Sequence, residues 1–414
     1  MRTSKTSMKM IVAATLTLSI LMSLCLCAFA ANAPVTGDTD VVYLAGGAVM
    51  KSEKGFAVTD TAWDYQKRFD LRTGLAPVWE AKTVYNETVA FVGAESEAKL
   101  LHAPTKVISV TDYYLRVEYE ENVDYVIEGN TIKLTPETDI CYWETDFLYS
   151  DTLISNIDLR TEAGKYIYYS ETEANRHQIC VTYEHAETWK GAVPVGQSEK
   201  LPKTLAKLQS GEPLEIGVIG DSITNGSGAS LFTKSDPSQG WYVKLVGDYL
   251  SAKYPEANVT VDNQAVGGTG AQWGAQNINR LTAPDLAIVA YGMNDGARTP
   301  AEYNAAITSI VQALKAQNAD VEIILVSSML PNPEIVDGTK NIPLFEEELV
   351  KIMQANESVA LAPMTAMTTS LYNDFGKRFI DVNSNNINHP NDFLHRVYAQ
   401  TVLKTLLGKE FTVL

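Results

Sequence analysis

In the segment EIGVIGDSITNGSG, Asp221 and Ser222 follow an apolar stretch. A hydroxyl at the end of a buried strand can cap a helix, bind a phosphate or attack a carbonyl carbon. The segment lacks the lysine of a P-loop and the glycine spacing of dinucleotide sites, so phosphate binding is disfavoured. We expect Asp221 to hold the loop through backbone hydrogen bonds rather than to take part in a reaction.

A serine hydroxyl is a poor nucleophile unless a base accepts its proton, and histidine is the most frequent base. The chain has five histidines, and His389 and His395 both lie in the late segment NINHPNDFLH. His389 precedes Pro390, which predicts a loop from which the ring can turn towards Ser222. His395 falls inside the helix that follows, where we expect it to pack or to face solvent. His389 is therefore the candidate general base.

Attack on a carbonyl also requires hydrogen-bond donors aimed at the developing oxyanion. Candidates occur in NQAVGGTG, where Gly268 lies five residues after Asn263, and in YGMNDG, which contains Asn294. A backbone N–H in a glycine turn can approach a substrate closely because no side chain intervenes. Each segment alone is typical of an ordinary turn. Together with Ser222 and His389, the two segments indicate acyl transfer.

A parallel sheet would bring these groups together, because ligands bind beyond the carboxyl ends of its strands. Helical stretches are also present, and the clearest begins with the capping box of Thr299 and Glu302. The last helix follows Pro390 and runs to about Leu407. The sequence therefore predicts a three-layer α/β/α domain with a parallel sheet over residues 214–414. Its strands are predicted from apolar runs with little polar alternation, as in strands covered on both faces: LEIGVIG, VTVDNQ, DLAIVAYG and EIILVSS.

Residues 38–193 have a different pattern, in which strands follow one another without helices between them. YYLRVEYEENVDYVIEGNTIKL alternates apolar and polar residues, and Gly129 and Asn130 are placed as a hairpin turn would be. This pattern predicts an all-β, antiparallel sandwich of the jelly-roll type. Residues 194–213 are polar with proline near both ends, and we interpret them as a linker with a short helix around Leu205.

Four blocks of the sequence resemble those of the SGNH, or GDSL-like, hydrolase superfamily: GDSIT, NQAVGGTG, YGMND and NHPND. The resemblance covers residues 214–408 and implies a flavodoxin-like α/β/α fold with a serine esterase site. It implies that Ser222 is the nucleophile and His389 the general base. It also implies the oxyanion donors, which are the backbone N–H groups of Ser222 and Gly268 and the side-chain amide of Asn294.

The sequence departs from the family at one position. The family places an aspartate three residues before the base, and here that residue is Asn386. A neutral amide can orient an imidazole, but it does not stabilise an imidazolium as a carboxylate does. Three alternatives remain: a Ser–His dyad oriented by Asn386 or a backbone carbonyl, a substitute carboxylate from Asp392 or Asp381, or weak or absent activity. A charge at the start of the last helix is a further interpretation of Asp392.

The N-terminus carries Arg2, Lys5 and Lys9 before an apolar run that ends in CAFAANA. This pattern predicts a secretory signal peptide over residues 1–30, and hence a secreted protein. An uncleaved anchor is the alternative, because the apolar run of roughly 20 residues can span a bilayer. The formal net charge of −17 disfavours nucleic acid and anionic lipid as partners. We expect no membrane contact beyond the leader.

The two cysteines that follow the leader, Cys141 and Cys180, can form a disulfide in an exported protein or remain separate thiols. They lack metal-ligand spacing, and no cluster of histidine, aspartate or glutamate has it either, so neither a metal nor another cofactor is predicted. Trp241 and Trp273 lie near the first two blocks, where an indole can stack on a sugar or simply belong to the core. The sequence does not predict an oligomeric state.

The favoured function is a secreted serine esterase that removes acetyl groups from polysaccharide. A β domain before an SGNH domain resembles the arrangement in some secreted carbohydrate esterases, which supports an acylated carbohydrate as the substrate. Two alternatives remain open. One is a general lipase or acylhydrolase on lipid or aryl esters, and the other is a non-catalytic protein that only binds glycan.

Overall fold

The computed structural model describes residues 41–44, 48–51, 70–94, 96–155, 157–335 and 338–414. The predicted signal peptide over residues 1–30 lies outside the described residues. Antiparallel strands predominate up to residue 185, and parallel strands alternate with helices from residue 215 onward. The change falls where alternating side chains give way to continuous apolar runs in the sequence.

The N-terminal part is β-rich and antiparallel. Its strands are β1 (Val41–Leu44), β2 (Ala48–Lys51), β3 (Thr83–Ala90), β4 (Glu97–Lys99), β5 (Pro104–Asp112), β6 (Tyr125–Glu128), β7 (Thr131–Leu134), β8 (Tyr149–Ser150), β9 (Leu159–Arg160), β10 (Tyr166–Ile167) and β11 (Gln178–His185). β1 pairs with β2, and the other strands form three sheets in the orders β3-β11-β5, β4-β7-β6 and β8-β10-β9. The antiparallel pairing was predicted, and its division among three small sheets is a finding of the structure.

The C-terminal part has one parallel sheet of five strands in the order β13-β12-β14-β15-β16. The strands are β12 (Glu215–Gly220), β13 (Thr260–Asn263), β14 (Leu286–Ala290), β15 (Glu322–Val326) and β16 (Val359–Ala362). Four of them correspond to the predicted apolar runs, and no prediction covered the short β16. β12 and β14 are neighbours in register, with Gly220 opposite Ala290 at their carboxyl ends. The segments that follow these two strands therefore meet at one edge of the sheet.

Helices alternate with the strands of this sheet, and three short helices occur in the N-terminal part. In chain order they are α1 (Leu71–Gly74), α2 (Thr145–Leu148), α3 (Glu173–Arg176), α4 (Pro202–Ser210), α5 (Ser222–Asn225), α6 (Ser230–Thr233), α7 (Tyr242–Lys253), α8 (Ala271–Gln276), α9 (Pro300–Gln317), α10 (Phe345–Gln354), α11 (Met364–Asn373), α12 (Phe379–Val382) and α13 (Asp392–Leu407). The capping box predicted for α9 is confirmed, because Thr299 and Glu302 cap each other's backbone. The predicted fold class, an α/β domain with a parallel sheet after an antiparallel β region, is confirmed.

The segment 194–213, interpreted as a linker, contains the expected helix α4 and packs closely on the α/β domain. Leu201 and Leu208 are buried in the main core. Gln197 exchanges side-chain hydrogen bonds with the backbone of Leu361, at 2.8 Å and 3.1 Å. The segment is therefore fixed to the domain that follows it.

The two parts of the chain share buried polar contacts as well as one continuous hydrophobic core. Lys377 Nζ lies 2.7 Å from Glu87 Oε1, and both side chains are fully buried. The Arg396 guanidinium donates to the carbonyls of Tyr85 and Asn86, each at 2.8 Å. These contacts join β3 to the C-terminal helices. None of the helices in the described ranges is long and apolar enough to cross a membrane.

Candidate active site

Ser222 is the first residue of α5, immediately after β12. Asp221 caps this helix, and its Oδ1 accepts the N–H of Ile223 at 3.0 Å. Burial raises the pKa of Asp221 to about 7, while the backbone donors of Ile223, Thr224 and Met293 act to lower it. Asp221 thus holds the loop, as expected, and Ser222 keeps its hydroxyl free for another partner.

His389 is that partner, with its Nε2 2.9 Å from Ser222 Oγ. The loop that carries His389 is built around Asn385, whose Oδ1 accepts the backbone N–H groups of Ile387, Asn388 and His389 at 2.9 to 3.0 Å. A side chain that satisfies several successive N–H groups fixes the loop without regular secondary structure. The structure therefore brings together the predicted nucleophile and the predicted base.

The first and last blocks meet at Gly228. Its φ of +90° lies in the left-handed region, and a Cβ there would lie 2.2 Å from the carbonyl oxygen of Pro390 and 2.4 Å from Ser384 Oγ. Only glycine allows the loop after α5 to approach the His-Pro loop so closely. This contact helps to set the distance between Ser222 and His389.

The other ring nitrogen of His389 contacts a residue of the N-terminal part. His389 Nδ1 lies 2.5 Å from Glu171 Oε1, which also accepts the Tyr169 hydroxyl at 3.3 Å. Burial acts to raise the pKa of Glu171, but the hydrogen bond and charge of His389, with the Tyr169 hydroxyl, outweigh it and leave the pKa below its usual value. Sequence reasoning missed Glu171, which is 218 residues from His389 along the chain.

The acids and the amide proposed from sequence as orienters of His389 have other partners. Asn386 Nδ2 donates to the carbonyl of Tyr168 at 3.0 Å. Asp392 Oδ1 accepts the N–H of Ser230 at 2.8 Å. Asp381 is bound by the backbone N–H of Ala90 and by Arg378. The expectation that Asn386 or Asp392 orients His389 is therefore corrected, because Glu171 occupies the Nδ1 side of the ring.

The predicted oxyanion donors Gly268 and Asn294 both lie in exposed turns. Gly268 is exposed with a φ of +75°, and among the described residues its N–H has no acceptor. The turn lies against the serine, because a Cβ on Gly267 would be 3.6 Å from Ser222 Cβ. Asn294 is exposed and donates one amide hydrogen to the Thr269 carbonyl at 3.0 Å, which leaves the other for a substrate. The arrangement can hold a negatively charged oxygen beside Ser222.

Residues 218–397 match the model of the GDSL-like lipase/acylhydrolase family. The chain thus carries a GDSL-like hydrolase domain. The predicted resemblance to the SGNH superfamily is confirmed. The matched residues include Ser222, Gly268, Asn294 and His389.

Solved structures of esterases are also similar to this GDSL-like hydrolase. A two-domain esterase active on acetylated mannans, co-crystallised with mannopentaose, is 20% identical over 53% of this chain and 55% of its own length, with a TM-score of 0.42. LAE5, an α/β hydrolase from the metagenome of Lake Arreo, Spain, is 21% identical over 46% of this chain and 94% of its own, with a TM-score of 0.38. Axe2, an acetylxylan esterase from Geobacillus stearothermophilus, is 21% identical over 47% and 94%, with a TM-score of 0.36. No curated protein sequence matches the chain. TM-scores this low carry no argument about activity, so the family rests on the sequence match.

The remaining polar and aromatic candidates of the hydrolase domain are structural. His395 is fully buried, and burial lowers its pKa to about 3, so it is neutral between Ser227 O and the N–H of Tyr242. Trp241 packs against the core and against Gly226, whose Cβ would lie 2.9 Å from the indole. Trp273 has the Arg280 guanidinium 5.8 Å from its ring centre. Both indoles are half-buried.

The cysteines and acidic clusters of the hydrolase are also accounted for. Cys141 and Cys180 do not form a disulfide with each other, and Cys180 is buried. No group of three or more histidine, cysteine, aspartate or glutamate side chains within the described ranges could hold a metal ion. The structure therefore gives no site to test against a metal.

Restoring the aspartate of the family at position 386 is expected to destabilise the hydrolase without activating it. Asn386 is fully buried and donates to a carbonyl, and a carboxylate has no hydrogen to donate. We expect Asn386→Asp to lower the free energy of unfolding by about 1–3 kcal/mol, as for a buried polar group that loses its partner. Urea unfolding measures this loss.

The matched control is Asn258→Asp, because Asn258 is exposed and shares the left-handed backbone conformation, with φ of +41° against +64° for Asn386. This control is expected to stay within about 0.5 kcal/mol of the unsubstituted protein. A rise in kcat/KM in Asn386→Asp would instead show that position 386 acts on His389.

Proposed function

We propose that the protein is a secreted serine esterase that removes acetyl groups from polysaccharide. Ser222 is the nucleophile and His389 the general base. The observation that carries this proposal is the 2.9 Å contact between Ser222 Oγ and His389 Nε2, with Gly267 of the glycine turn against the serine. A nucleophile, its base and an oxyanion donor on one side of the serine are the parts that acyl transfer requires.

The reaction proceeds through an acyl-enzyme. Ser222 Oγ attacks the ester carbonyl while His389 Nε2 takes the hydroxyl proton. The oxyanion accepts hydrogen bonds from the N–H groups of Ser222 and Gly268 and from the Asn294 amide. The tetrahedral species then expels the sugar hydroxyl, which receives the proton from His389. A water molecule, deprotonated by His389, releases the acid and restores the serine.

A short acyl group is supported by what surrounds the serine. Gly267, which has no side chain, lies against the serine, because a Cβ on it would be 3.6 Å from Ser222 Cβ. A methyl group fits against such a surface, whereas a longer chain gains binding free energy only where apolar walls bury it. Two small cavities in the described part of the chain are lined by residues other than Ser222 and His389.

The proposal that the protein is exported rests on its N-terminal sequence. Basic residues precede an apolar run and a small-residue segment, as in secretory signals. A polysaccharide substrate is too large to enter a cell intact, so an esterase that acts on it benefits from secretion. The net charge of −17 suits a neutral glycan better than a polyanionic partner.

One observation favours a second candidate, an acylhydrolase on more apolar esters. Leu153, Ile154 and Ile157 are 43 to 55% exposed on one loop. Asp158 accepts the N–H of Ile154 at 2.8 Å and that of Tyr169 at 3.0 Å, so this apolar loop is tied to the segment that contacts His389. Such a loop can contact an acyl chain or an aryl leaving group.

A chain-length series of p-nitrophenyl esters separates the two candidates. We expect kcat/KM to be highest for the acetyl ester and to fall as the chain lengthens, because Gly267 against the serine has no side chain to bury the added methylenes. Burial of each methylene by an apolar groove would instead raise kcat/KM about fourfold, from roughly 0.8 kcal/mol per CH₂. Such a rise would contradict the deacetylase proposal and favour the acylhydrolase.

Acetate release from acetylated polysaccharides tests the substrate class directly. Acetylated mannan and acetylated xylan are suitable members of the panel, with the same polymers after chemical deacetylation as blanks. We expect release from at least one acetylated polymer. Hydrolysis of p-nitrophenyl acetate without release from any polymer would limit the activity to small esters.

A further inference from the structure

The acid that partners the base comes from the other part of the chain. We propose that Glu171, in the N-terminal β region, is the positioning residue for His389 and takes the role that the family gives to an aspartate three residues before the base. This inference rests on the proposed function and extends it, because it makes the site incomplete without the N-terminal region.

The geometry at the imidazole is that of a relay with one partner on each nitrogen. Glu171 Oε1 lies 2.5 Å from Nδ1, and Ser222 Oγ lies 2.9 Å from Nε2. A carboxylate at Nδ1 keeps the hydrogen on that nitrogen, which leaves Nε2 as the acceptor for the serine proton. Glu171 therefore selects the tautomer that a general base requires.

The charge of Glu171 adds to this effect. Its side chain is 27% exposed, so its interaction with His389 is only partly screened by solvent. Its pKa lies below the usual value because the hydrogen bond and charge of His389 outweigh the effect of burial. The carboxylate is thus ionised across the range in which an imidazole titrates, and it stabilises the imidazolium formed in each step.

The other titratable group close to the base is His395, which is buried and neutral. Asp381 and Asp392, the other carboxylates of the last block, are bound to Arg378 and to the N–H of Ser230. Glu171 is therefore the carboxylate in contact with His389 among the described residues.

Asn386 binds the loop that carries His389 to the segment that carries Glu171. Its side chain donates to the carbonyl of Tyr168, three residues before Glu171, at 3.0 Å. Its own carbonyl accepts from Asn332 Nδ2 at 2.9 Å. In the family, position 386 would hold the acid. Here Asn386 instead binds the segment that carries Glu171. Asp158 completes the support by accepting the N–H of Tyr169 at 3.0 Å.

The test uses the full chain with Glu171→Gln, and Glu173→Gln as the matched control. Glu173 is a carboxylate two residues further on that pairs with Arg176 and does not contact His389. We expect Glu171→Gln to lower kcat on p-nitrophenyl acetate roughly 100-fold, within the usual range for general-base catalysis, with a much smaller change in KM. Glu173→Gln is expected to stay within about twofold of the unsubstituted enzyme.

A conservative variant distinguishes positioning from a merely structural role. Glu171→Asp keeps the charge on a side chain shorter by one methylene, and we expect it to recover part of kcat. The melting temperature of each variant should stay within about 2 °C of the unsubstituted protein.

A proton NMR spectrum provides a readout that does not depend on ester hydrolysis. A hydrogen held between His389 Nδ1 and a carboxylate should give a low-field resonance in the unsubstituted protein and in Ser222→Ala, and Glu171→Gln should lack it. Unchanged kinetics or an unchanged resonance in Glu171→Gln overturns this inference alone. An enzyme that shows the resonance and hydrolyses no ester overturns the proposed function and leaves the Glu171–His389 pair established.

Discussion

Ser222→Ala is expected to lower kcat/KM for p-nitrophenyl acetate by roughly 10⁴- to 10⁶-fold, as loss of the nucleophile does in serine hydrolases. Alanine keeps the helix start, because Asp221 rather than Ser222 provides the cap. The hydroxyl that lies 2.9 Å from His389 Nε2 would be lost, so no acyl-enzyme could form at position 222. Steady-state hydrolysis, corrected for the spontaneous rate, measures the loss.

Ser227→Ala is the matched control. Ser227 lies in the same loop, and the hydrogen bonds of its backbone, from its N–H to Ser222 O and from His395 to its carbonyl, survive the substitution. We expect it to keep kcat/KM within about threefold. A phosphonate ester that adds to the nucleophile should modify the Ser227→Ala variant and not Ser222→Ala. Undiminished hydrolysis in Ser222→Ala would show that another group attacks the ester, and it would favour glycan binding as the role of Ser222.

Much of the C-terminal fold could be predicted because its signals are local. Runs such as EIGVIG, now β12, are apolar on both faces, and the capping box of Thr299 and Glu302 fixes the start of α9. The strand β16 escaped prediction because its four residues are too short to show a period. The three small sheets of the N-terminal part depend on pairings between distant strands, such as β3 with β11, which no local pattern encodes.

The site could be predicted only in part for the same reason. Ser222 and His389 were proposed from their blocks, and the sheet edge brings them to 2.9 Å. Glu171 lies in the segment SETEANR, where the local sequence does not distinguish it from Glu173. Both look like exposed carboxylates, and only packing of the β region on the hydrolase domain selects one of them. Their roles in catalysis remain predictions that the variants above test.

The family pattern places the acid by its distance along the chain from His389, whereas orientation of the imidazole depends on contact in space. Asn386 occupies the place of the family's acid and is fully buried in the left-handed conformation, with φ of +64°. Its donated hydrogen bond to Tyr168 joins the two parts of the chain. The residue that stands in place of the family's acid therefore binds the segment that carries Glu171.

If Glu171 positions His389, docking of the two parts is a condition for activity, and Lys377 makes a buried contact between them. Its ammonium binds Glu87 Oε1 at 2.7 Å and the carbonyl of Thr88 at 2.8 Å, both on β3. Glu87 also accepts the Tyr183 hydroxyl at 2.6 Å. Every member of this cluster is buried, so no water can replace a lost partner.

Lys377→Met is expected to lower the free energy of unfolding by roughly 3–5 kcal/mol, because it leaves the Glu87 carboxylate buried without its counter-charge. Urea unfolding followed by tryptophan fluorescence measures the change. Lys203→Met is the control, since Lys203 and Asp320 form an ion pair whose side chains are 57% and 78% exposed. We expect no measurable change there, as for most exposed pairs.

A second substitution separates the buried charge from lost packing. Glu87→Gln removes the charge but keeps an acceptor for the Tyr183 hydroxyl, so adding it to Lys377→Met should recover at least about 1 kcal/mol. Recovery of stability without recovery of kcat would show that the region is docked and Glu171 is still misplaced. If Lys377→Met instead unfolds at the same urea concentration as Lys203→Met, the buried pair does not hold the two parts together, and the other contacts of β3 with the C-terminal helices must do so.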